Sequence, residues 1–136
     1  MVMITSEGFS LQQIAASLLG DPILRVSWDE ERLVVERQQD GAFLQFQRND
    51  SIANYYDDEE GDVFKGSINK PVYFILNFQD LSFAKQILLL ALDRADLYLD
   101  NDMGLILPGD KFIKVVKESP DWDWLQQKNS TGRALK

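Results

Sequence analysis

The densest group of side chains that could carry out chemistry is an acidic run preceded by two aromatic residues. Tyr55 and Tyr56 are followed by five carboxylates within six positions, which are Asp57, Asp58, Glu59, Glu60 and Asp62. Because like charges this close repel one another at neutral pH, a cation or a basic surface would stabilise them. The pattern predicts a loop that binds a cationic partner, with the tyrosines as aromatic anchors and the carboxylates as a charged rim.

Two other interpretations of this acidic run stay open at the level of sequence. A calcium loop of the EF-hand type places glycine at its sixth position and glutamate at its twelfth. Counted from Asp57, those two positions hold Asp62 and Ile68, so the spacing does not fit. The remaining interpretation is a solvated loop whose charges only keep the protein soluble.

A second acidic group lies at Asp100 and Asp102, with Asn101 between them. Two carboxylates at a hairpin tip are compatible with acid–base chemistry or with Mg²⁺ binding, provided that they converge. Aspartate and asparagine are also typical of turns, because their side chains bond to the local backbone. We expect the turn to be the main reason for these residues, and we place Asp100 and Asp102 near the partner-binding loop.

The residue types that are missing exclude several kinds of chemistry. The chain contains no cysteine and no histidine, which rules out thiolate nucleophiles, zinc–thiolate sites and the usual catalytic triad. It also has no glycine-rich phosphate loop. We therefore expect a protein that is not an enzyme, with no catalytic residues, no metal and no cofactor.

The charge balance narrows the class of partner. With 22 acidic and 14 basic residues, the formal net charge is -8. Nucleic acids are polyanions that are bound largely through Lys and Arg, so neither a nucleic acid nor an anionic membrane is an expected partner. The longest apolar run, Ile87 to Leu92, is far too short for a membrane span. A basic protein partner and a cytoplasmic location are the expectations, and the sequence leaves the choice between monomer and dimer open.

The hydrophobic pattern indicates a single α+β domain over residues 1–128, followed by a flexible C-terminal tail over 129–136. Helices are predicted over 7–20, 81–95 and 111–118. Strands are predicted over 23–28, 32–37, 42–48, 72–78, 97–99 and 105–107, with a short one near Val63 and Phe64 in an otherwise irregular segment over 49–71. Hairpin connections dominate, so we expect a mainly antiparallel sheet with helices packed on one side.

The C-terminal third of the chain resembles a family. Residues 99–112, which include Asp100-Asn101-Asp102-Met103-Gly104 and Pro108-Gly109-Asp110-Lys111-Phe112, are followed by Trp122-Asp123-Trp124. This order of a D-N-D turn, a P-G-D element and a W-D-W ending is similar to that of small bacterial immunity proteins of polymorphic or contact-dependent toxin systems. The resemblance implies an acidic inhibitor that sequesters a toxin domain, often a basic one, and implies no catalytic residue. From the residue pattern itself, we expect both tryptophans to pack in the core.

The leading interpretation is therefore an acidic binding protein that neutralises a cognate bacterial toxin by covering its functional surface. Two alternatives remain. One is an acidic secretion chaperone or adaptor, a class that works as dimers through an apolar helix. The other is a small enzyme that uses carboxylates, which requires two carboxyl groups in one concave and partly buried pocket.

Overall fold

The chain forms one antiparallel sheet of seven strands, as seen in a computed structural model that describes residues 1–92 and 97–126. The strands are β1 (Val2–Ser6), β2 (Leu24–Asp29), β3 (Arg32–Arg37), β4 (Phe43–Arg48), β5 (Pro71–Phe78), β6 (Tyr98–Asp100) and β7 (Ile106–Pro108). Their order across the sheet is β2-β3-β4-β5-β1-β6-β7. The first strand thus lies between β5 and β6, where both of its edges are paired.

Four α-helices cover the sheet: α1 (Leu11–Leu18), α2 (Asp58–Lys65), α3 (Leu81–Ala91) and α4 (Gly109–Glu118). Short 3-10 helices occupy Asp50–Tyr55 and Trp124–Gln126. The α+β class and the antiparallel sheet are confirmed. Helices α1, α3 and α4 pack together on one side of the sheet, as predicted for all helices. Helix α2 instead covers the opposite face of β1, β5 and β6. Within the described residues, no helix has the length and apolarity needed to cross a bilayer.

The main core lies between the sheet and helices α1, α3 and α4. Strand residues alternate between the two faces, so Met3, Phe74 and Leu99 point into this core while their sequence neighbours point to the other side. Helix α3 starts at Asp80, whose side chain accepts hydrogen bonds from the backbone N–H groups of Ser82 and Phe83. Its buried stripe then fixes the helix against the sheet.

The W-D-W segment closes one end of the main core. Trp124 is fully buried, and Trp122 is partly buried against the same cluster. Their ring centroids lie 5.2 Å apart in an edge-to-face arrangement, and both rings contact Phe112. The prediction that both tryptophans pack in the core is thus supported by their positions.

The structure differs from the sequence prediction in three features. Residues 2–6 form a strand that the sequence pattern had not indicated, and the segment over 49–71 is not irregular, because it contains α2. The short strand predicted near Val63 and Phe64 is wrong, since both residues belong to α2. Helix α3 ends at Ala91, and positions 93–95 of the helix predicted over 81–95, like the predicted tail over 129–136, lie outside the described residues.

Candidate functional site

The site begins with a second, smaller core on the face of the sheet opposite α1, α3 and α4. Phe64 of α2 is completely buried there, and its ring meets Tyr73 at 6.2 Å and Tyr98 at 6.3 Å between centroids. Ile52 and Ile68, on either side of α2 in the sequence, are buried in the same cluster. The aromatic and aliphatic contacts anchor a helix that has few other apolar residues.

The acidic run forms the first turns of α2 rather than a loop. The side chain of Asp57 accepts a hydrogen bond from the backbone N–H of Glu60 at 2.7 Å, and the Glu60 side chain accepts one from the N–H of Asp57 at 3.2 Å. This reciprocal capping box satisfies amide groups that a helix start leaves free. Asp58 and Glu59 lie in the first turn, where the helix dipole favours negative charge.

Tyr56 connects this segment to the sheet instead of pointing into solvent. Its hydroxyl donates a hydrogen bond of 2.6 Å to Asp100 Oδ2, and its ring stacks on Tyr73 at 5.8 Å between centroids. Burial raises the pKa of the Tyr56 phenol strongly, and the charge of Asp100 raises it further. Tyr55, in contrast, has 80% of its surface exposed and is the most exposed large hydrophobic residue in the described chain.

Asp100 is a buried carboxylate at the end of β6. Only 7% of the residue is exposed, and desolvation raises its pKa above the ordinary value, while hydrogen bonds from Tyr56 and from the N–H of Asp102 oppose the rise. Asp102 is exposed at 59% of its side chain, and its Oδ2 lies 2.7 Å from the amino nitrogen of Met1. The two predicted carboxylates therefore have very different environments.

The turn that joins β6 and β7 is held by its own side chains, as expected for aspartate and asparagine in turns. Asp100 Oδ1 accepts a hydrogen bond from the N–H of Asp102 at 2.9 Å, and Asn101 Oδ1 accepts one from the N–H of Met103 at 2.8 Å. Asp102 and Gly104 both adopt positive φ angles, of 65° and 88°. These contacts hold the backbone of the turn, and the amino group of Met1 contacts the Asp102 carboxylate.

These elements enclose a cleft of about 180 Å³, which we call the tyrosine–acid cleft. Its walls come from three parts of the chain that are distant in sequence: the segment before and within α2, strand β1, and the β6–β7 turn. Its lining residues are Val2, Ile52, Tyr55, Tyr56, Glu60, Asp100, Asp102 and Gly104. The structure therefore brings together five of the nine residues predicted from the sequence to form a partner-binding site.

The other four predicted residues, Asp57, Asp58, Glu59 and Asp62, lie on or beside α2 and are exposed. Asp57 caps the helix, and we call the remaining three, Asp58, Glu59 and Asp62, the α2 acidic face. Within residues 1–92 and 97–126, no ion pair includes any of these four carboxylates or Glu60. Their charge is therefore free to act on a molecule outside the chain.

Exposed apolar side chains accompany this charge. Val63 lies on α2, and Met103 lies in the β6–β7 turn beside two residues that line the cleft. With Tyr55, they provide the apolar contact area that an acidic surface alone would lack. The sequence pattern did not identify Val63 and Met103 as exposed apolar residues near the site. It did not identify Val2 as a residue that lines the cleft, because β1 itself was not predicted.

The lining of the cleft is suited to an organic cationic group. In the described part of the chain, no group of three carboxylates comes together closely enough to hold a metal. The cleft combines aromatic walls with carboxylates, which is an environment suited to an ammonium or guanidinium group.

Comparisons of the chain with protein-family models, with curated proteins and with solved structures found no match.

Proposed function

We propose that this protein is a non-enzymatic binding protein that holds a basic protein partner at the tyrosine–acid cleft and the α2 acidic face. The observation that carries the proposal is the convergence of carboxylates from α2 and from the β6–β7 turn around one cleft. The exposed acids of α2 have no cationic partner within the described chain. Such a surface attracts a basic domain over long range and speeds its association.

The cleft supplies the short-range part of this recognition. A lysine or arginine side chain of the partner can place its methylene groups against Tyr55 and Ile52 and its charged head near Glu60. The carboxylate of Asp102 already pairs with the amino group of Met1. Tyr55 is an exposed tyrosine, and tyrosine is one of the residue types enriched at energetically dominant interface positions. Charge then sets the association rate, while the aromatic contact slows dissociation.

Within this class, the function that we propose is neutralisation of a cognate bacterial toxin in the cytoplasm. The segment that resembles immunity proteins includes the β6–β7 turn, and this turn contributes Asp100, Asp102 and Gly104 to the cleft. The resemblance and the candidate site thus coincide on the same residues. The protein would act by covering the functional surface of the toxin, without a catalytic step.

A carboxylate enzyme is the second candidate, because Asp100 is buried, has a raised pKa and shares a concave pocket with Glu60 and Asp102. Two observations place it second. Both oxygens of Asp100 already accept hydrogen bonds from within the chain. The cleft, at about 180 Å³, is also smaller than the roughly 300–1,000 Å³ of typical small-molecule sites.

Growth rescue tests the proposal in cells. The chain is co-expressed with a candidate basic toxin domain, chosen from the variable C-terminal domains of large secreted bacterial proteins. We expect the wild-type protein to restore growth, and we expect a variant carrying Asp58→Lys, Glu59→Lys and Asp62→Lys to lose this protection. Full protection by the triple variant at equal expression would contradict the proposal.

A matched control separates local charge from net charge. Glu7, Glu31 and Glu118 are exposed acids that lie outside the cleft and the α2 acidic face. Changing these three residues to lysine alters the net charge by the same amount, and this variant should protect as well as the wild type. The Asp100→Asn variant distinguishes the second candidate, since an enzyme would lose its activity while a binding protein would keep most of its affinity.

A further inference from the structure

The two edges of the sheet are unequal. Strand β7 has three residues, ends on Pro108 and runs directly into α4, so it offers little unpaired backbone. Strand β2, at the opposite edge, has six residues and contains no proline. Long edge strands with free backbone groups are surfaces on which another strand can pair, and proteins usually shorten or interrupt them. The β7 edge is shortened and ends in a proline, whereas the β2 edge has neither of these protections.

The hydrogen-bond pattern shows which groups of β2 face outward. The N–H of Gln38 donates to the carbonyl of Ile23 at 3.0 Å, so odd-numbered residues of this strand are directed toward β3. The even-numbered residues Leu24, Val26 and Trp28 therefore direct their backbone groups away from the sheet. In the part of the chain that the structure describes, the outward N–H and C=O groups of Val26 and Trp28 have no bonding partner.

Exposed apolar side chains lie along and beside this edge. Trp28 has 47% of its surface exposed, Ile23 has 56%, and Leu19, at the end of α1, has 71%. Val26 is half-buried on the same face of the strand as Trp28. A tryptophan left this accessible on an edge strand is costly for an isolated protein and supplies contact area when a partner is present.

The charges of β2 complement a second copy of the same strand. In an antiparallel pair with Ser27 opposite Ser27, Val26 lies opposite Trp28 and Arg25 lies opposite Asp29, each twice because of the two-fold symmetry. Val26 and Trp28 both face outward, so this register also matches the free backbone groups. Arg25 is exposed without an ion pair in the described chain, and Asp29 is 3.8 Å from Arg32 with 66% of its side chain exposed.

Shifting this register by one hydrogen-bonding step in either direction leaves no pair of opposite charges within β2 itself. With Val26 opposite Val26, Arg25 lies opposite Ser27, and Asp29 lies opposite Ile23. No pair of opposite charges then forms across the axis. The sequence of β2 therefore favours one register among those that its outward backbone groups allow.

We propose that a second copy of this chain pairs with β2, antiparallel and centred on Ser27, so that the two seven-stranded sheets form one continuous sheet. The pairing goes beyond the proposed function and leaves it unobstructed, because the tyrosine–acid cleft lies at β1 and β6, toward the other end of the sheet. It is formed by a strand edge, unlike the helix-mediated dimer expected of a secretion chaperone. A short edge contact of this kind gives a reversible dimer of modest affinity.

Sedimentation velocity of the purified full chain over a range of concentrations tests the proposal. We expect a monomer–dimer equilibrium in the wild type. Arg25→Asp and Asp29→Arg should each raise the dimer dissociation constant about tenfold, since each places like charges opposite one another twice. The double variant restores opposite charges and should return the constant close to the wild-type value. Lys114→Glu, an exposed reversal on α4, serves as the control and should have no effect.

Hydrogen exchange of the unmodified protein gives a second readout that needs no variant. We expect the backbone amides of Val26 and Trp28 to exchange more slowly as protein concentration increases. A wild-type chain that stays monomeric at all accessible concentrations would overturn the proposal, even if a strand of another protein later proved to bind this edge. A dimer whose stability is unchanged by both single reversals would overturn it as well.

Discussion

The hydroxyl of Tyr56 donates a 2.6 Å hydrogen bond to the buried carboxylate of Asp100, across 44 positions of sequence. This bond joins the segment that leads into α2 to the end of β6, which are the two walls of the tyrosine–acid cleft. Tyr56 therefore positions the site rather than offering an exposed anchor, and Tyr55 is the aromatic residue that remains available to a partner.

The buried carboxylate makes a testable contribution to the pH dependence of stability. Burial raises the pKa of Asp100 in the folded protein, so the folded state binds this proton more readily than the unfolded state does. Its charged form thus costs stability as pH rises above the ordinary value of 3.8 and through the raised value. Asp100→Asn should gain stability relative to the wild type between about pH 4 and pH 7. Urea unfolding at both pH values checks this, and an equal difference at both would contradict it.

The capping role of Asp57 can be separated from its charge. Asp57→Ala removes the acceptor for the N–H of Glu60 and should lower the free energy of unfolding by about 1 kcal/mol. Asp57→Asn keeps an acceptor oxygen while losing the charge, so it should stay close to the wild type. Urea denaturation compares the two variants. If asparagine destabilised the protein as much as alanine does, the capping explanation would be wrong.

Asn101 connects the β6–β7 turn to the tryptophan segment. Its buried side chain donates to the carbonyl of Trp124 at 2.8 Å and accepts from the N–H groups of Met103 and Leu105. Asn101→Ala leaves these groups without their partner and should reduce the free energy of unfolding by about 2–4 kcal/mol. Met103→Ala, at an exposed neighbouring position, is the control and should change stability little. A similar small effect for both variants in chemical denaturation would count against this role.

Lys85, on α3, binds the backbone just before the tryptophan segment and within it. It is 5% exposed, and its ammonium donates hydrogen bonds to the carbonyls of Pro120 and Trp122. Burial lowers its pKa, while the nearby Asp123 and Asp121 oppose the shift. Lys85→Met keeps the apolar stem and removes the donors, which should cost about 1–3 kcal/mol.

The measurement for Lys85 is thermal unfolding together with near-ultraviolet circular dichroism of the tryptophans. Gln86→Met introduces the same residue at the adjacent exposed position and should leave both signals unchanged. An unaltered tryptophan signal in Lys85→Met would show that the lysine does not position Trp122.

Most strands and three helices were predictable because their patterns are regular. The hairpin over Asp40-Gly41 and the periodic apolar stripe of α3 are strong local signals. The strand β1 gave none of these signals, since Val2, Met3 and Ile4 form a short apolar run without alternation. Such a run occurs where both faces of a strand are buried, as they are here.

The helix α2 was hidden by its composition. Its first turns are acidic, and only Val63 and Phe64 are large and apolar. The signal that was available is the pair Asp57 and Glu60 at capping-box spacing, which the strong charge of the run obscured. The meeting of Tyr56 with Asp100 could not be predicted either, because it depends on β1 separating β5 from β6.

The decisive measurement is the dissociation constant between this chain and the candidate toxin domain from whose effect it rescues cells, obtained by calorimetry with the purified proteins. We expect Asp58→Lys, Glu59→Lys and Asp62→Lys together to weaken binding at least about a hundredfold and to flatten its salt dependence. The matched variant at Glu7, Glu31 and Glu118 should bind like the wild type, and circular dichroism confirms that both variants fold. Equal affinity of the α2 variant and the wild type would contradict the claim that this acidic surface binds the partner.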